Sequence, residues 1–353
     1  MRVARAAGLD VAWTVDHLQG FFPQVIWDKD LTFLADPSGS PHEYYDYQAL
    51  LGYLARRAGR MHLAVGVTEP VRRHPVVLAQ TALTLAHMTK RTLILGLGSG
   101  EAENTVPYGL PFKRPVARLE EAIQIIQKCF SSRGPFDFSG EFYQLERAVL
   151  DLRPPKDRTP QLWVAAHGPR MLGITGRYGD GWYPTLPYTP QEYGDALGTI
   201  RDAATAAQRR PHSIVPGWQT LVVLGKDEAA ARRLLEHRSV RFTALLAPDA
   251  VWRAHGAAHP LGEGFGGLVD FVPRDYERAV IDAAIDRVPT DLLAGTLLWG
   301  TPDMVYTRLR DFVDAGLRHV VLGPLSALAS RSDAAFSVRS AISILRRLKR
   351  DGL

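Results

Sequence analysis

The sequence predicts an α/β fold, specifically a TIM-type (β/α)8 barrel that carries insertions and lacks its first strand. Short apolar, β-branched runs alternate with longer helical patterns along the 353 residues, as in parallel β-α repeats. Seven such strands are more than most doubly wound sheets supply and one fewer than a barrel needs. Because this length suits a single large barrel, we treat residues 1–353 as one domain.

The elements follow from the periodicity of the sequence in chain order. Strands are predicted near Val11–Val15, His62–Val67, Thr92–Gly96, Gln161–Ala166, Gly181–Tyr183, Gly217–Leu224 and His319–Gly323. Helices are predicted near Tyr47–Ala58, Pro75–Thr89, Pro115–Ser131, Pro169–Tyr178, Pro190–Gln208, Asp227–Thr243 and Pro302–Ala315. Residues 2–8 resemble the end of a first helix whose preceding strand is absent, so either the assigned start is late or the barrel is incomplete.

Two segments depart from the β-α alternation. Residues 247–298 are rich in Gly, Pro, His and aromatic side chains and are longer than an ordinary connection, which predicts an insertion that forms a lid or pocket wall. Residues 136–145 alternate around a Ser-Gly pair and predict a β-hairpin.

Composition excludes several classes of protein. The net charge of +5 is spread along the chain rather than gathered in blocks, which argues against nucleic-acid binding. The sequence shows no apolar run of membrane-spanning length and no signal peptide at its start, so we expect a cytoplasmic protein without stable membrane insertion. The single cysteine, Cys129, lies in a predicted helix and is expected to be a buried thiol.

Polar residues follow four of the predicted strands, and the carboxyl ends of barrel strands share one mouth. Asp16 and His17 follow the first strand, residues 66–70 the second, residues 98–104 the third and residues 165–168 the fourth. His17 could donate a proton near neutral pH, and Glu101 could share that work if burial raises its pKa. The ordinary alternatives are a hydrogen-bonded histidine, a helix-capping glutamate and simple turns.

Residues 164–185 form one complete β-α-β unit. The strand ends at His167-Gly168-Pro169, where glycine allows close backbone approach and proline suits a first helical turn. A helix N-terminus at the end of a parallel strand is a natural anion site, although the same pattern also suits an ordinary turn.

Other site classes have no support in the sequence. There is no metal-binding pattern of the C-x-x-C or H-E-x-x-H type, and no P-loop or G-x-S-x-G motif. Residues 96–100 contain part of a dinucleotide-binding fingerprint, but the third glycine is wrongly spaced. We therefore predict neither a metal site nor a Rossmann domain.

Taken together, the motifs resemble the luciferase-like superfamily in its branch of coenzyme F420-dependent oxidoreductases, and within it the phthiodiolone/phenolphthiodiolone dimycocerosates ketoreductases. The resemblance covers nearly the whole chain. Its marks are Val15-Asp16-His17, residues 63–70, residues 74–80, residues 95–104 and residues 164–169. The resemblance to the ketoreductases rests on Arg72-Arg73, residues 115–120, residues 163–172 and residues 316–322.

The resemblance implies a TIM-type barrel, a homodimer and a deazaflavin, coenzyme F420, that carries the hydride chemistry. It implies His17 and Glu101 as acid–base residues. As cofactor-binding residues it implies Asp16, Gly66, Val67, Ser99, Asn104, Ala165, Ala166, His167 and Gly168, with a cis peptide at Gly66–Val67 behind the ring and a phosphate at residues 165–168. Relatives that oxidise sugar phosphates carry Trp where this chain has Gly20-Phe21-Phe22, so such a substrate is disfavoured.

The leading hypothesis is therefore an F420-dependent reductase of a ketone or enone in an apolar, lipid-like substrate. Aromatic residues near the predicted site, Phe21, Phe22 and Trp27, could wall a hydrophobic pocket. The alternatives are an FMN-dependent monooxygenase, which would need the same flat slot for its ring, and a non-catalytic cofactor-binding barrel.

Overall fold

The computed structural model describes residues 1–352 and contains an eight-stranded parallel sheet. Its strands, with those of a separate hairpin, are β1 (Val11–Thr14), β2 (His62–Thr68), β3 (Ile94–Leu97), β4 (Phe136–Ser139), β5 (Gln144–Ala148), β6 (Gln161–Val164), β7 (Gly181–Trp182), β8 (Val215–Leu224), β9 (Leu298–Gly300) and β10 (His319–Pro324). The order in the sheet is β1-β2-β3-β6-β7-β8-β10, with β9 also paired to β8. The antiparallel pair β4–β5 is the predicted hairpin.

Helices follow nearly every strand of the sheet. They are α1 (Arg2–Ala6), α2 (Tyr47–Ala55), α3 (Pro75–Met88), α4 (Pro115–Ser131), α5 (Pro169–Tyr178), α6 (Pro190–Ala206), α7 (Glu228–Leu235), α8 (Arg238–Ala244), α9 (Asp249–Ala254), α10 (Arg278–Asp286), α11 (Thr290–Thr296), α12 (Pro302–Asp314) and α13 (Arg331–Arg350). Five of them, α3 to α6 and α12, begin at a proline, whose fixed φ and missing N–H suit the first helical turn.

The seven predicted strands are confirmed to within a few residues, and so are the helices between them, with three differences. The predicted helix 227–243 is two helices, α7 and α8, separated at Glu236 and His237. The strand β9 was missed because it is three residues long and lies at the end of the predicted insertion. The helix α13 was also missed, although Ser330 accepts from the amide of Asp333 and so marks its start.

Side chains from strands around the sheet meet in its interior. Trp13 on β1 stacks on Tyr183 with ring centroids 4.3 Å apart, and Trp163 on β6 packs edge-on against both His319 and Trp13. Trp13 Nε1 donates to Nε2 of His319 at 3.1 Å, so the first and last strands of the sheet face each other. Within residues 1–352, β1 pairs only with β2 and β10 only with β8, and these side chains bridge the interval.

The main hydrophobic core lies between the sheet and its helices. Helix α4 shows the pattern, because its buried residues recur every three or four positions and face the strands. Cys129 is one of them, and burial raises the pKa of its thiol to about 11, as expected for an unreactive structural cysteine.

A second hydrophobic core joins the predicted insertion to the loop after β1. Phe22 in that loop stacks on Phe242 of α8 at 4.6 Å, and Phe271 of the insertion packs edge-on against the same ring. Arg278 at the start of α10 donates to the carbonyl of Val25 and to the carboxylate of Asp28. Residues 247–298 therefore form a helical wall, built from α9, α10 and α11, against the 20–35 loop.

Among the described residues, no helix combines the length and apolar character needed to cross a bilayer.

Candidate active site

The candidate site lies where β1, β2 and β3 end. Asp16 and His17 follow β1, Thr68 ends β2, and residues 101–104 follow β3. Because the strands are parallel and adjacent, their carboxyl ends bring these loops together. The amide of Leu18 donates to Oδ1 of Asn104 at 2.7 Å, which joins the loops after β1 and β3 directly.

The register between β2 and β3 shifts at a bulge between Val65 and Thr68. The peptide bond Gly66–Val67 within it is cis, which confirms the prediction from the family resemblance. Only glycine fits on its inner side, since a Cβ at Gly66 would lie 2.7 Å from the Trp13 ring. On β3, a Cβ at Gly96 would lie 2.2 Å from the carbonyl oxygen of Val65, and one at Gly98 would lie 2.8 Å from Val67. These glycines of the incomplete fingerprint therefore accommodate the bulge of the neighbouring strand.

Asp16 anchors the loop after β1 through an ion-pair network. Its carboxylate is buried and accepts from Thr68 Oγ1 and from Arg73 Nη1, both at 2.6 Å. Arg72 Nη2 lies 3.1 Å from the same oxygen, and Arg72 Nε bonds to Glu69 at 2.5 Å. Charge-assisted hydrogen bonds of this kind are about twice as strong as neutral ones, so Asp16 holds the site in place.

Asn104 fixes the orientation of the His17 ring. Its Oδ1 accepts from the amide of Leu18, so its Nδ2 must point the other way, where it donates to Nδ1 of His17 at 2.9 Å and to Oε1 of Glu103 at 2.7 Å. The same Nδ1 lies 3.2 Å from the carbonyl oxygen of Gln19, a contact that needs a proton on Nδ1, whereas the Asn104 contact needs Nδ1 without a proton. The Asn104 contact is the shorter of the two and favours the tautomer of His17 with its proton on Nε2. Nε2 lies 4.0 Å from Oε2 of Glu101.

Two carboxyl groups face His17. Glu101 is 26% exposed, and burial together with the neighbouring Glu103 raises its pKa well above the usual range. Glu103 is fully buried, 3.5 Å from Nδ1 of His17, and burial raises its pKa to about 7. Burial thus shifts both carboxyl groups toward the acid form, which suits proton donation by Glu101.

Aromatic residues border His17. The ring of Phe21 packs edge-on at 5.3 Å and the ring of Tyr44 lies 5.5 Å away. Beside Tyr44 is an open cavity of about 320 Å³, and its lining residue Trp27 packs against the second core. Its lining residues are Trp27, Leu34, Ser38, Ser40, Pro41, Glu43 and Tyr44.

The predicted anion-binding turn follows β6. Gly168 precedes α5 without any side-chain cap on the helix, and the space where its Cβ would stand is open. His167 is neutral at physiological pH, because burial lowers its pKa to about 4, and its Nδ1 has no hydrogen-bond partner. The amide of Ala165 and the carbonyl of Ala166 are already used, by Leu97 and Trp182. An anionic ligand would therefore meet the amides from Ala166 onward.

The structure thus gathers Asp16, His17, Glu101 and Asn104 in one cluster beside the Gly66–Val67 bulge. Ser99 lies half-buried on the turn before Glu101. The His167–Gly168 turn is on the far side of β3, two strands from β2, and none of the described hydrogen bonds joins it to the cluster.

Sequence reasoning missed three contributors. Glu103 lies within the polar segment 98–104 that follows the third predicted strand, but its burial cannot be inferred from a single sequence. Arg72 and Arg73 were noted only as marks of resemblance, although two arginines just after a strand-end Glu69 are a signal for an ion-pair network.

One group of three side chains among the described residues could hold a metal ion, because its possible ligand atoms lie within 4.8 Å of one another. The group consists of His17, Glu101 and Glu103. The absence of a metal site remains a prediction. Asn104 donates to both His17 Nδ1 and Glu103 Oε1, which occupies two of the atoms that an ion would need.

A family profile described as luciferase-like monooxygenase matches residues 1–319. The phthiodiolone/phenolphthiodiolone dimycocerosates ketoreductase of Mycobacterium kansasii is 37% identical over 355 residues, covering 99% of this chain and 96% of the relative. The F420-dependent glucose-6-phosphate dehydrogenase of Nakamurella multipartita is 29% identical over 276 residues, covering 77% and 74%.

Among solved structures, an F420-dependent secondary alcohol dehydrogenase in complex with an F420-acetone adduct superposes with a TM-score of 0.69. The two chains are 20% identical, and the match covers 91% of this chain and 86% of the other. At this identity the similarity establishes the TIM-type fold.

Proposed function

Because the chain belongs to the luciferase-like monooxygenase family and is an oxidoreductase, we propose that it uses coenzyme F420 to reduce a ketone or enone of an apolar substrate. The observation that carries the proposal is the pairing of His17 Nε2 with Glu101, an acid whose pKa is raised, at the mouth of the sheet beside the Gly66–Val67 bulge.

The described residues fit such a cofactor at both ends. The bulge with its half-buried Val67 offers a flat backing for a ring. The uncapped N-terminus of α5, the open space at Gly168 and the unpartnered Nδ1 of buried His167 suit a phosphate. When bound, F420 supplies or accepts the hydride.

The protein's own residues supply the proton. As a ketone carbon gains hydride, its oxygen gains negative charge and must be protonated. Burial and Glu103 raise the pKa of Glu101, so it keeps its proton to a higher pH than an ordinary glutamate, and Nε2 of His17 lies 4.0 Å from it. Either group can stabilise the developing charge, which contributes about 10²–10⁴-fold to the rate of such reactions. Asp16, Arg72 and Arg73 hold the loop that carries His17.

The cavity beside Tyr44 supports an apolar substrate. Trp27, Leu34 and Pro41 line it, and Tyr44 connects it to His17. A series of methyl ketones from acetone to 2-tetradecanone tests this, because kcat/KM should rise with chain length as more methylene groups are buried. Leu34→Asp should abolish the gain for long ketones and leave acetone turnover unchanged.

The test of the reaction is to mix the purified protein with reduced F420 and 2-tetradecanone and to follow oxidation of F420 and formation of the alcohol. One alcohol per oxidised F420 supports the proposal. Consumption of reduced FMN and oxygen, without turnover of reduced F420, would instead make the chain a monooxygenase, the activity for which its family is described.

Two variants test the roles of the acid–base residues. His17→Ala and Glu101→Gln should each lower kcat by about 10² or more. F420 affinity, measured by fluorescence titration, should change little. Glu146→Gln, at an exposed position of the hairpin, is the matched control. Unchanged turnover in both site variants would contradict the assignment.

A homodimer also belongs to this proposal. Two apolar residues of helix α3, Val77 and Met88, are exposed, and so is Tyr53 on the neighbouring helix α2. A cleft of about 250 Å³ lies between α2 and α3. Such a surface is typical of subunit interfaces. Light scattering should give twice the 39.0 kDa chain mass, and Val77→Glu should lower it.

A further inference from the structure

Glu103 is the most deeply buried carboxyl of the site, yet the proposed reaction does not use it. Its Oε1 accepts from Asn104, and its Oε2 has no hydrogen-bond partner apart from the carboxyl of Glu101. A buried carboxylate with an unpartnered oxygen is costly, because water no longer solvates the charge. Two side-chain amides hold Glu103 in this position. Nε2 of Gln19 donates to the backbone carbonyl of Glu103 at 2.5 Å, and Nδ2 of Asn104 donates to its carboxylate.

We infer that Glu103 is a positioning residue for the proton step, which keeps Glu101 in its acid form without touching the substrate. The inference rests on the proposed reductase function. Its basis is geometric: carboxyl oxygens of Glu101 and Glu103 lie within 4.8 Å of one another, and Glu103 is the deeper of the two. Two carboxylates at this separation do not both ionise easily, because their charges repel in a poorly solvated site.

The surroundings decide which of the two gives up its proton first. Glu103 receives a hydrogen bond from Asn104, whereas the Arg72 guanidinium favours the carboxylate form of both groups. Glu101 lies 4.0 Å from His17 Nε2, and its hydrogen bond to Glu103 raises its own pKa and lowers that of Glu103. The remaining group that faces the pair is Tyr44, whose phenol is neutral because burial and both carboxyls raise its pKa. Glu103 therefore ionises near pH 7, and its charge then holds the proton on Glu101.

The proton balance of the reaction explains why the charge of Glu103 matters for Glu101. Hydride forms the new C–H bond, the carbonyl π electrons move to oxygen, and Glu101 gives its proton to that oxygen and becomes a carboxylate. Glu101 regains a proton from solvent, because it is 26% exposed, whereas Glu103 is sealed. The charge of Glu103 makes that recovery favourable above neutral pH. The enzyme thus retains an acid at a pH where an ordinary glutamate has none.

Infrared spectroscopy of the cofactor-free protein tests the coupling directly. The carbonyl band of a protonated carboxyl is followed against pH in wild type, Glu103→Gln and Glu101→Gln, with Glu146→Gln as the control. The Glu101→Gln spectrum identifies the Glu101 band. In Glu103→Gln this band should titrate at least about one pH unit lower than in wild type, because the like charge is gone. A Glu101 titration that does not move would overturn the inference.

The pH profile of the holoenzyme gives the second readout. The alkaline limb of kcat/KM for 2-tetradecanone should move to lower pH by the same amount in Glu103→Gln, with the KM for F420 unchanged. A uniform loss of activity at every pH, with an unshifted profile, would mean that Glu103 only supports packing. If wild type shows no turnover with F420 but the Glu101 band still moves, the proposed function fails and the coupling stands.

Metal binding is the competing explanation for this cluster. Dialysed protein is titrated with Zn²⁺ and with Mn²⁺ by calorimetry. Absence of stoichiometric binding supports the inference. Binding of one ion that Glu103→Gln abolishes would overturn it, since the group would then be a metal site.

Discussion

The substitution Glu103→Gln should change how the stability of the protein depends on pH. The carboxyl of Glu103 has an ordinary pKa of 4.5 when exposed, as in the unfolded chain, and burial raises its pKa to about 7 in the folded protein. Between these values the folded state binds more protons than the unfolded state. Stability therefore falls as pH rises from 4.5 through about 7, and is constant beyond that.

The size of this effect follows from the same two values. A pKa difference between 4.5 and about 7 is worth about 3 kcal/mol at 1.36 kcal/mol per pH unit. Glutamine has the same shape but does not titrate. The difference in unfolding free energy between Glu103→Gln and wild type should thus shift by at least about 3 kcal/mol in favour of the variant from about pH 4.5 to pH 8, because the lower pKa of Glu101 in the variant acts in the same direction.

Urea denaturation at a series of pH values measures this shift. Any fixed cost of a poorly partnered glutamine amide is the same at each pH and cancels in the comparison. Glu146→Gln, an exposed carboxyl, is the control and should leave the pH dependence of wild type unchanged. Parallel stability curves for wild type and Glu103→Gln would refute the reasoning, because they would mean that Glu103 is ionised throughout.

Three further predictions concern other parts of the structure. Burial lowers the pKa of His319 from 6.5 to about 4, so the neutral ring stabilises the fold above that window and this stability is lost as the pH falls through it. In His319→Gln, whose side-chain oxygen can still accept from Trp13, the loss of unfolding free energy between pH 7 and pH 4 should be smaller by about 3 kcal/mol. Urea denaturation near pH 4 and pH 7 measures this difference. Gly96→Ala should lower the unfolding free energy by about 3 kcal/mol, because its Cβ would clash with the carbonyl oxygen of Val65. Gly198→Ala on α6, where the added Cβ meets open space, should raise it by about 0.5–1 kcal/mol. Equal effects of the two substitutions would show that the bulge tolerates a side chain. Asn104→Asp should move the proton of neutral His17 from Nε2 to Nδ1, because a carboxylate can accept from both Leu18 and His17. The ¹⁵N NMR shifts of the imidazole report which nitrogen carries the proton. A proton that stays on Nε2 in the variant would contradict the prediction.

Much of the site was predictable because residues at the ends of parallel strands must meet. Asp16, His17, Glu101 and Asn104 were placed at strand ends by periodicity alone, and the structure brings them together. The cis bond at Gly66–Val67 came from resemblance, since no local pattern distinguishes it. The helical wall of residues 247–298 was predicted only as an irregular insertion, because short helices such as α9 and α11 depend on packing more than on propensity.

The sequence by itself determined the order of strands and helices, because hydrophobic period and proline positions are local properties of the chain. It also placed polar residues at the strand ends. Only the tertiary structure decided what those residues do. The tautomer of His17 depends on an amide 87 positions away, and the pKa of Glu101 depends on its own burial and on Glu103 beside it. Burial and charge proximity arise from contacts between distant segments, so the packed chain sets the proton chemistry of the site.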